Sequence, residues 1–163
     1  MDLTFHTNQG CFNYRVGAVI LRDGKLLLMH NDKEDIYYTV GGRVQFGEST
    51  QEAILREVRE ELAIELEIDR PLCFHESFYV YELTGEVVHE IAVYYLMKNT
   101  PALERIYCTS VTALGAPETL HWVPVAELRN HHAVPTTLFD RLDSLTGGMR
   151  VVTEREAAGA CPA

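Results

Sequence analysis

At Ser49 the periodicity of the chain changes, and this limits the available folds more than any other feature. Upstream, apolar residues come in alternating or short unbroken runs of the strand type. From Thr50 to Leu62 they recur at helical intervals instead. Ser49 and Glu52 form the Ser-x-x-Glu pattern of a capping box, in which each residue satisfies a backbone N–H that the first helical turn leaves without a partner. The spacing therefore predicts a helix over Thr50–Leu62. At about 100° per residue, with Glu57 set at zero, Glu60 lies near −60° and Glu61 near +40°, while Ile54, Val58, Leu62 and Leu55 cover roughly 60° to 160°. A helix that is apolar on one side and acidic beside it has to pack on a sheet or another helix, and its strand-like surroundings supply a sheet.

Phe12 to Leu21 is rich in β-branched and aromatic residues and ends at Arg22-Asp23-Gly24-Lys25, after which Leu26 to Met29 form a second apolar run. Asp-Gly between two such runs predicts a hairpin. Tyr37 to Val40 reads as a short strand broken by Gly41-Gly42, and Ile64 to Ile68 as another, with Pro71 marking a break. Cys73–Leu83 and Val87–Met97 read as a long hairpin through Thr84-Gly85-Glu86, and Asn99 to Pro117 as a long loop. Leu120 to Val123 is expected to be a strand, Pro124 to Leu128 a short helix and Thr136 to Leu145 a final helix. The 163 residues suit one domain, expected over 1–146, with a flexible tail over 147–163.

The charge narrows the function. With 14 Lys+Arg against 24 Asp+Glu the net charge is −10, which disfavours a nucleic-acid backbone or an anionic membrane surface as partner. No apolar run approaches the roughly 20 residues that span a bilayer, and the first residues lack a basic segment followed by an apolar one. The four cysteines, Cys11, Cys73, Cys108 and Cys161, show no paired spacing, so reduced thiols in a cytoplasmic protein are expected. An acidic protein that handles phosphates needs a metal.

Seven Glu and two Arg lie between Glu48 and Glu67, so half of the net charge sits on and around the helix. Glu57 and Glu61 are i,i+4 neighbours, and like charges so placed cost a few tenths of a kcal/mol, roughly 0.2–0.5, when uncompensated. A hard divalent cation, Mg²⁺ or Mn²⁺, turns that repulsion into binding. Gly41-Gly42 precedes the helix, where a glycine carbonyl can approach the same ion. The bland alternative is a solvated acidic face with Arg56 paired to Glu52 and Glu60.

Gly42-x5-Glu48-x7-Arg56-Glu57-Val58-Arg59-Glu60-Glu61-Leu62-Ala63-Ile64 resembles the signature of the Nudix hydrolase family, G-x5-E-x7-R-E-U-x-E-E-x-G-U with U aliphatic. Each defined position agrees except Ala63, which stands where the pattern has Gly. Tyr38-Thr39-Val40-Gly41-Gly42 is similar to the strand before the family's box, with Val40 in place of a frequent Pro, and His121–Leu128 to its late strand-helix segment. The resemblance covers approximately Tyr14 to Leu145. It implies an α/β fold, an α/β/α sandwich around a mixed β-sheet, and hydrolysis of a diphosphate bond in a nucleoside diphosphate linked to another group. It also implies Glu57 and Glu61 as principal metal ligands, Glu60 as a ligand or water-mediated partner, and the Gly42 carbonyl as a further ligand. Glu48 would orient water or a ligand, and Arg56 would fix a carboxylate by ion pairing.

The general base is open between the box and two outside residues, Glu118 at the end of the long loop and Glu90 within an apolar strand. Arg15 and Arg43 are candidates for phosphate contacts, and Tyr38, with Tyr37, Phe46 and Tyr79, for stacking on a base, each weighed against solvation or the core. The histidines, including His131-His132, show no zinc spacing. A small nucleotide substrate and a homodimer complete the expectations. Two competing readings remain: a non-catalytic nucleotide-binding or regulatory module of the same fold, and hydrolysis of an inositol polyphosphate or terpenoid diphosphate.

Overall fold

The computed structural model describes residues 1–81, 84–106, 118–140, 142 and 147–155. The Asp-Gly signal is realised as a turn in which Asp23 (φ 49°) and Gly24 (φ 73°) both take positive φ, as a type I′ hairpin requires. It joins β3 (Leu21–Arg22) to β4 (Lys25–Asn31), directly after β2 (Gly10–Val19). β1 (Thr4–Thr7) pairs antiparallel with β2. β5 (Ile36–Tyr38) pairs with β4, and β6 (Val40–Arg43) crosses back to β2. The long hairpin is β7 (Ile68–Tyr81) with β8 (Glu86–Met97), and β8 also runs parallel to β2. β9 (Glu118–Pro124), β10 (Ala133–Val134) and β11 (Arg150–Arg155) complete the strands. Among the described residues the strands form two mixed sheets, one in the order β1-β2-β8-β7-β11 with β6 on β2, the other β10-β5-β4-β3 with β9 on β4.

The two sheets share their cores. On one side α1 (Thr50–Leu62) presses Ala53, Ile54, Val58 and Leu62 against Val16, Ala18 and Val93 of the first sheet and Leu27 and Met29 of the second. On the other side Val19, Leu26, Leu28 and Ala92 pack beneath Leu128, from the 3-10 helix Val125–Asn130, and Leu138 and Phe139, from α2 (Thr136–Phe139). Helical segments thus cover both faces of mixed sheets, the α/β/α arrangement expected from the sequence. Each fully buried Ile, Leu or Val contributes about 1.5–3 kcal/mol, so the apolar stripe of α1 fixes how its acidic side is presented.

α1 agrees with its expected bounds. Ser49 accepts from the Glu52 N–H, Glu52 accepts from the Ser49 N–H, and Ala63 closes the helix in the left-handed region (φ 54°, ψ 28°). Several other segments depart from expectation. Gly41-Gly42 lies inside β6, and the interruption falls at Thr39 instead. Pro71 does not break a strand but sits in β7, where the register with β8 shifts at Ile68/Arg70 and at Pro71/Cys73. Ile64–Glu67 is not a strand; only Ile68 belongs to β7. The loop after Asn99 contains a 3-10 helix, Pro101–Arg105, and its residues 107–117 lie outside the described residues. The last expected helix ends at Phe139 as α2, and most of its remaining turn, like Leu83, also lies outside them.

Within the segment expected as a tail, Arg150–Arg155 pair in parallel with β7 as β11. Glu154 explains this, because its carboxylate accepts from the hydroxyls of Thr136 (3.1 Å) and Thr137 (3.0 Å) and lies 3.1 Å from Nε2 of the buried His75. Arg155 also stacks on Phe78 at 3.8 Å. No helix among the described residues is long and apolar enough to cross a membrane.

Candidate active site

The acidic side of α1 faces β6 across a narrow gap. A Cβ on Gly42 would lie 2.5 Å from Glu57 Oε1, so only glycine leaves room for that carboxylate. Gly41 adopts φ 148°, and a Cβ there would meet the Val16 carbonyl oxygen at 2.2 Å. That backbone path turns the Gly41 N–H onto Glu61 Oε2 at 3.0 Å. The glycine pair therefore shapes the pocket twice, by making room for Glu57 and by donating to Glu61.

Arg56 organises the entrance. Its Nε and Nη2 donate to Glu48 at 3.1 and 2.7 Å in a two-pronged pair, Nη1 reaches Glu57 at 2.7 Å and Glu60 at 3.1 Å, and Nη2 also donates to the Arg43 carbonyl at 3.0 Å. The bland alternative is half met: Arg56 does pair with Glu60, but Glu52 is spent on the cap. Glu48 also accepts from the Gln45 N–H at 2.7 Å. Its hydrogen bonds from Arg56, then that from Gln45, hold the carboxyl below the usual range.

Glu57 and Glu61 move the other way. Burial raises Glu57, against the pull of Arg56. Burial pushes Glu61 up to about 8, the Gly41 N–H opposes this, and the charges of Glu57 and Glu118 add to the rise. Glu118, at the start of β9, accepts from the Tyr38 hydroxyl, so Tyr38 and Glu118 come from the two strands that both pair with β4 to the same pocket. Burial and that bond keep the Tyr38 phenol protonated far above its ordinary range.

Arg15 lies beside this group. Burial works against its charge, but Glu90, Tyr94, Tyr79 and Glu61 around it hold the guanidinium firmly protonated. Its Nη1 is 3.9 Å from Glu90, which also accepts from the Tyr79 hydroxyl at 3.4 Å. Arg15 is thus attracted by both Glu90 and Glu61, whereas the charge of Glu118 acts directly on Glu61. Arg43 turns elsewhere: its Nε donates to Asn13 at 3.3 Å and its Nη1 is 3.9 Å from Asp2. Tyr37 stacks on His30 at 4.1 Å, and Phe46 is exposed. Neither of these two aromatics touches the carboxylates in the contacts described.

The family model described as the NUDIX domain matches residues 12–142. The chain belongs to the NUDIX domain family. A curated relative, CTP pyrophosphohydrolase of Escherichia coli (strain K12), is 36% identical over 78 residues, which is 45% of this chain and 55% of the relative. The match thus spans about half the length of that relative. Two solved structures are similar to the Nudix domain over more of its length. The solution structure of the E. coli ORF135 protein superposes with a TM-score of 0.58 at 26% identity, over 82% of this chain and 90% of the other. The crystal structure of a MutT NUDIX hydrolase from Burkholderia pseudomallei gives 0.53 at 26% identity, over 71% of this chain and 84% of the other.

Within this Nudix domain the side chains at the glycine pair, Glu57 against Gly42 and Glu61 on the Gly41 N–H, with Glu118 acting on Glu61 by its charge, offer only oxygen, which suits a hard divalent cation better than a soft one. Three carboxylates crowd the pocket, and Arg15 and Arg56 flank it. The sequence signals for Glu48, Arg56, Glu57 and Glu61 are local, carried by one helix and the residue before its cap. The Gly41 N–H, Tyr79 and Tyr94 join through strand register, which no spacing within one segment announces.

Proposed function

We propose that this Nudix domain is a divalent-metal-dependent pyrophosphohydrolase that cleaves the diphosphate bond of a nucleoside diphosphate linked to another group. The observation that carries the proposal is the packing of two carboxylates at the glycine pair, Glu57 in the space only Gly42 leaves free and Glu61 on the Gly41 N–H, with burial raising both. Such crowding is unfavourable in the protein alone and is relieved by a cation. Glu57 and Glu61, with Glu60 at the rim and the Gly42 carbonyl, are the groups that would hold Mg²⁺ or Mn²⁺. Bound there, the ion would neutralise phosphate oxygens and lower the pKa of an attacking water.

The chain's own residues supply the rest. Arg56 keeps Glu48 and Glu57 in place through its fork of hydrogen bonds, and Glu48 in turn ties to the loop at Gln45. Arg15 offers a fixed positive charge to a phosphate on the sheet side. Of the two outside base candidates, Glu118 is favoured, because its charge acts on Glu61 and the Tyr38 hydroxyl orients it; Glu90 is engaged by Arg15 and Tyr79. Addition of water across the phosphoanhydride gives a nucleoside monophosphate and the phosphorylated second group.

The relative's name puts CTP first among substrates to try, followed by other nucleoside triphosphates, ADP-ribose, sugar nucleotides, dinucleoside polyphosphates and NADH. A cytoplasmic location and a homodimer belong to the same proposal; the described cysteines, Cys11 and Cys73, are free thiols. The test is turnover of this panel with Mg²⁺ or Mn²⁺ and with chelator. Hydrolysis that needs the metal is expected. Tight binding of a nucleotide without turnover under either metal would instead favour the non-catalytic module.

A further inference from the structure

The edge of the first sheet carries a second cluster, of different chemistry. His6 and Cys11 are directly opposed in the β1–β2 register, and Cys11 faces Val88 across the β2–β8 register. Side chains alternate along a strand, so Glu86, two residues before Val88, lies on the same face as Cys11 and His6. The side chains meet as that register requires. His6 Nδ1 is 2.8 Å from Glu86 Oε1, and His6 Nε2 is 4.0 Å from Cys11 Sγ. One donor atom from each of the three lies within 4.8 Å of the others.

We propose that His6, Cys11 and Glu86 form a second cation site, separate from the carboxylate pocket, that takes a thiophilic divalent ion such as Zn²⁺. A thiolate, an imidazole and a carboxylate are the donor types that zinc accepts, and tetrahedral bonds of about 2.0–2.3 Å separate donor atoms by roughly 3.3–3.8 Å. The present separations need movements of about 1 Å, and His6 and Glu86 are exposed enough to make them. Cys11 is anchored, with its sulfur 3.6 Å from Thr4 Oγ1 and 3.8 Å from Asn13 Oδ1. Binding releases the thiol proton to solvent, and water completes the coordination.

The two sites sort ions by softness. The Glu57/Glu61 pocket offers only oxygen, whereas the edge site offers sulfur and nitrogen that Mg²⁺ does not favour. The ion would clip β1, a four-residue edge strand whose last three residues are exposed, to β2 and β8. The proposal does not depend on the hydrolase reading, since the three residues lie outside that pocket.

The experiment uses the full chain with Mg²⁺ in excess, titrated with Co²⁺ as a spectroscopic stand-in for Zn²⁺. A thiolate-to-cobalt absorption that saturates at one ion per chain and is bleached by Zn²⁺ is expected. The Cys108→Ser/Cys161→Ser double variant should keep it, Cys11→Ser should lose it, and Glu86→Gln should weaken binding about 10–100-fold. Because Cys11 is buried, His6→Gln at an exposed position is the safer variant, and it should weaken binding at least as much while leaving the circular dichroism unchanged. No thiolate-to-cobalt absorption in the wild type, or an unchanged titration in His6→Gln, would overturn the proposal.

Discussion

Replacing Glu61 by Gln is expected to stabilise the metal-free protein. In the fold the Glu61 carboxyl titrates near 8, against an ordinary value of 4.5. Below 4.5 the carboxyl is protonated in both states and costs nothing. As pH rises through the interval the unfolded chain gives up its proton while the fold keeps it, so stability falls with pH until the folded group also ionises near 8. At about 1.4 kcal/mol per pH unit, the accumulated loss above that point reaches up to about 5 kcal/mol. Gln has nearly the same size and keeps a carbonyl oxygen for the Gly41 N–H, but it carries no charge. The assay is urea unfolding in chelator, followed by the single tryptophan, Trp122. Below pH 4.5 the two proteins should be alike, and above pH 8 the variant should be more stable by about 2–5 kcal/mol. Saturating Mg²⁺ should then narrow the difference, since at a hundred times Kd it adds about 2.7 kcal/mol to the protein that binds it. A variant no more stable than wild type above pH 8 without metal, with an unchanged pH slope, would refute the reasoning.

Other consequences are open to measurement. Ala63→Gly relieves a side chain held at φ 54° and should raise stability by up to about 1 kcal/mol, read as a higher Tm. Arg56→Lys keeps the charge but loses the fork that binds Glu48 and reaches Glu57; metal affinity in calorimetry should drop roughly 10–100-fold. Glu154→Ala removes the acceptor shared by Thr136 and Thr137 and the contact with His75, and should cost about 1–3 kcal/mol of stability, read as a lower urea midpoint.

The parts of the structure that were legible in the sequence are those written by local chemistry. α1 is specified within its own residues by the Ser49/Glu52 box and the Ile54, Val58, Leu62 stripe, and the Asp23-Gly24 turn by the need for two positive φ angles. The grouping of Arg56, Glu57 and Glu61 follows from the same helix, with Glu48 just before its cap. β1 was not legible, because its residues barely alternate and backbone pairing with β2 makes it a strand. β11 was hidden for a similar reason: Glu154 finds its partners on α2 and β7, far away in sequence. The pairing of His6 with Glu86 spans 80 residues, so spacing rules for zinc ligands see nothing there. Pro71 misleads as a break because a register shift in β7 accommodates it.

The most direct test of the catalytic proposal compares kcat for the best nucleotide of the panel, in Mg²⁺, among wild type, Glu57→Gln and Arg59→Gln. The two substitutions sit on the same helix, but Glu57 faces the glycine pair, whereas Arg59 is exposed and 3.8 Å from Glu65. A loss of about a hundred-fold or more in Glu57→Gln, with Arg59→Gln close to wild type, is the predicted result. Equal activity in all three proteins, or hydrolysis that persists in chelator, would contradict a metal-dependent reaction at this pocket.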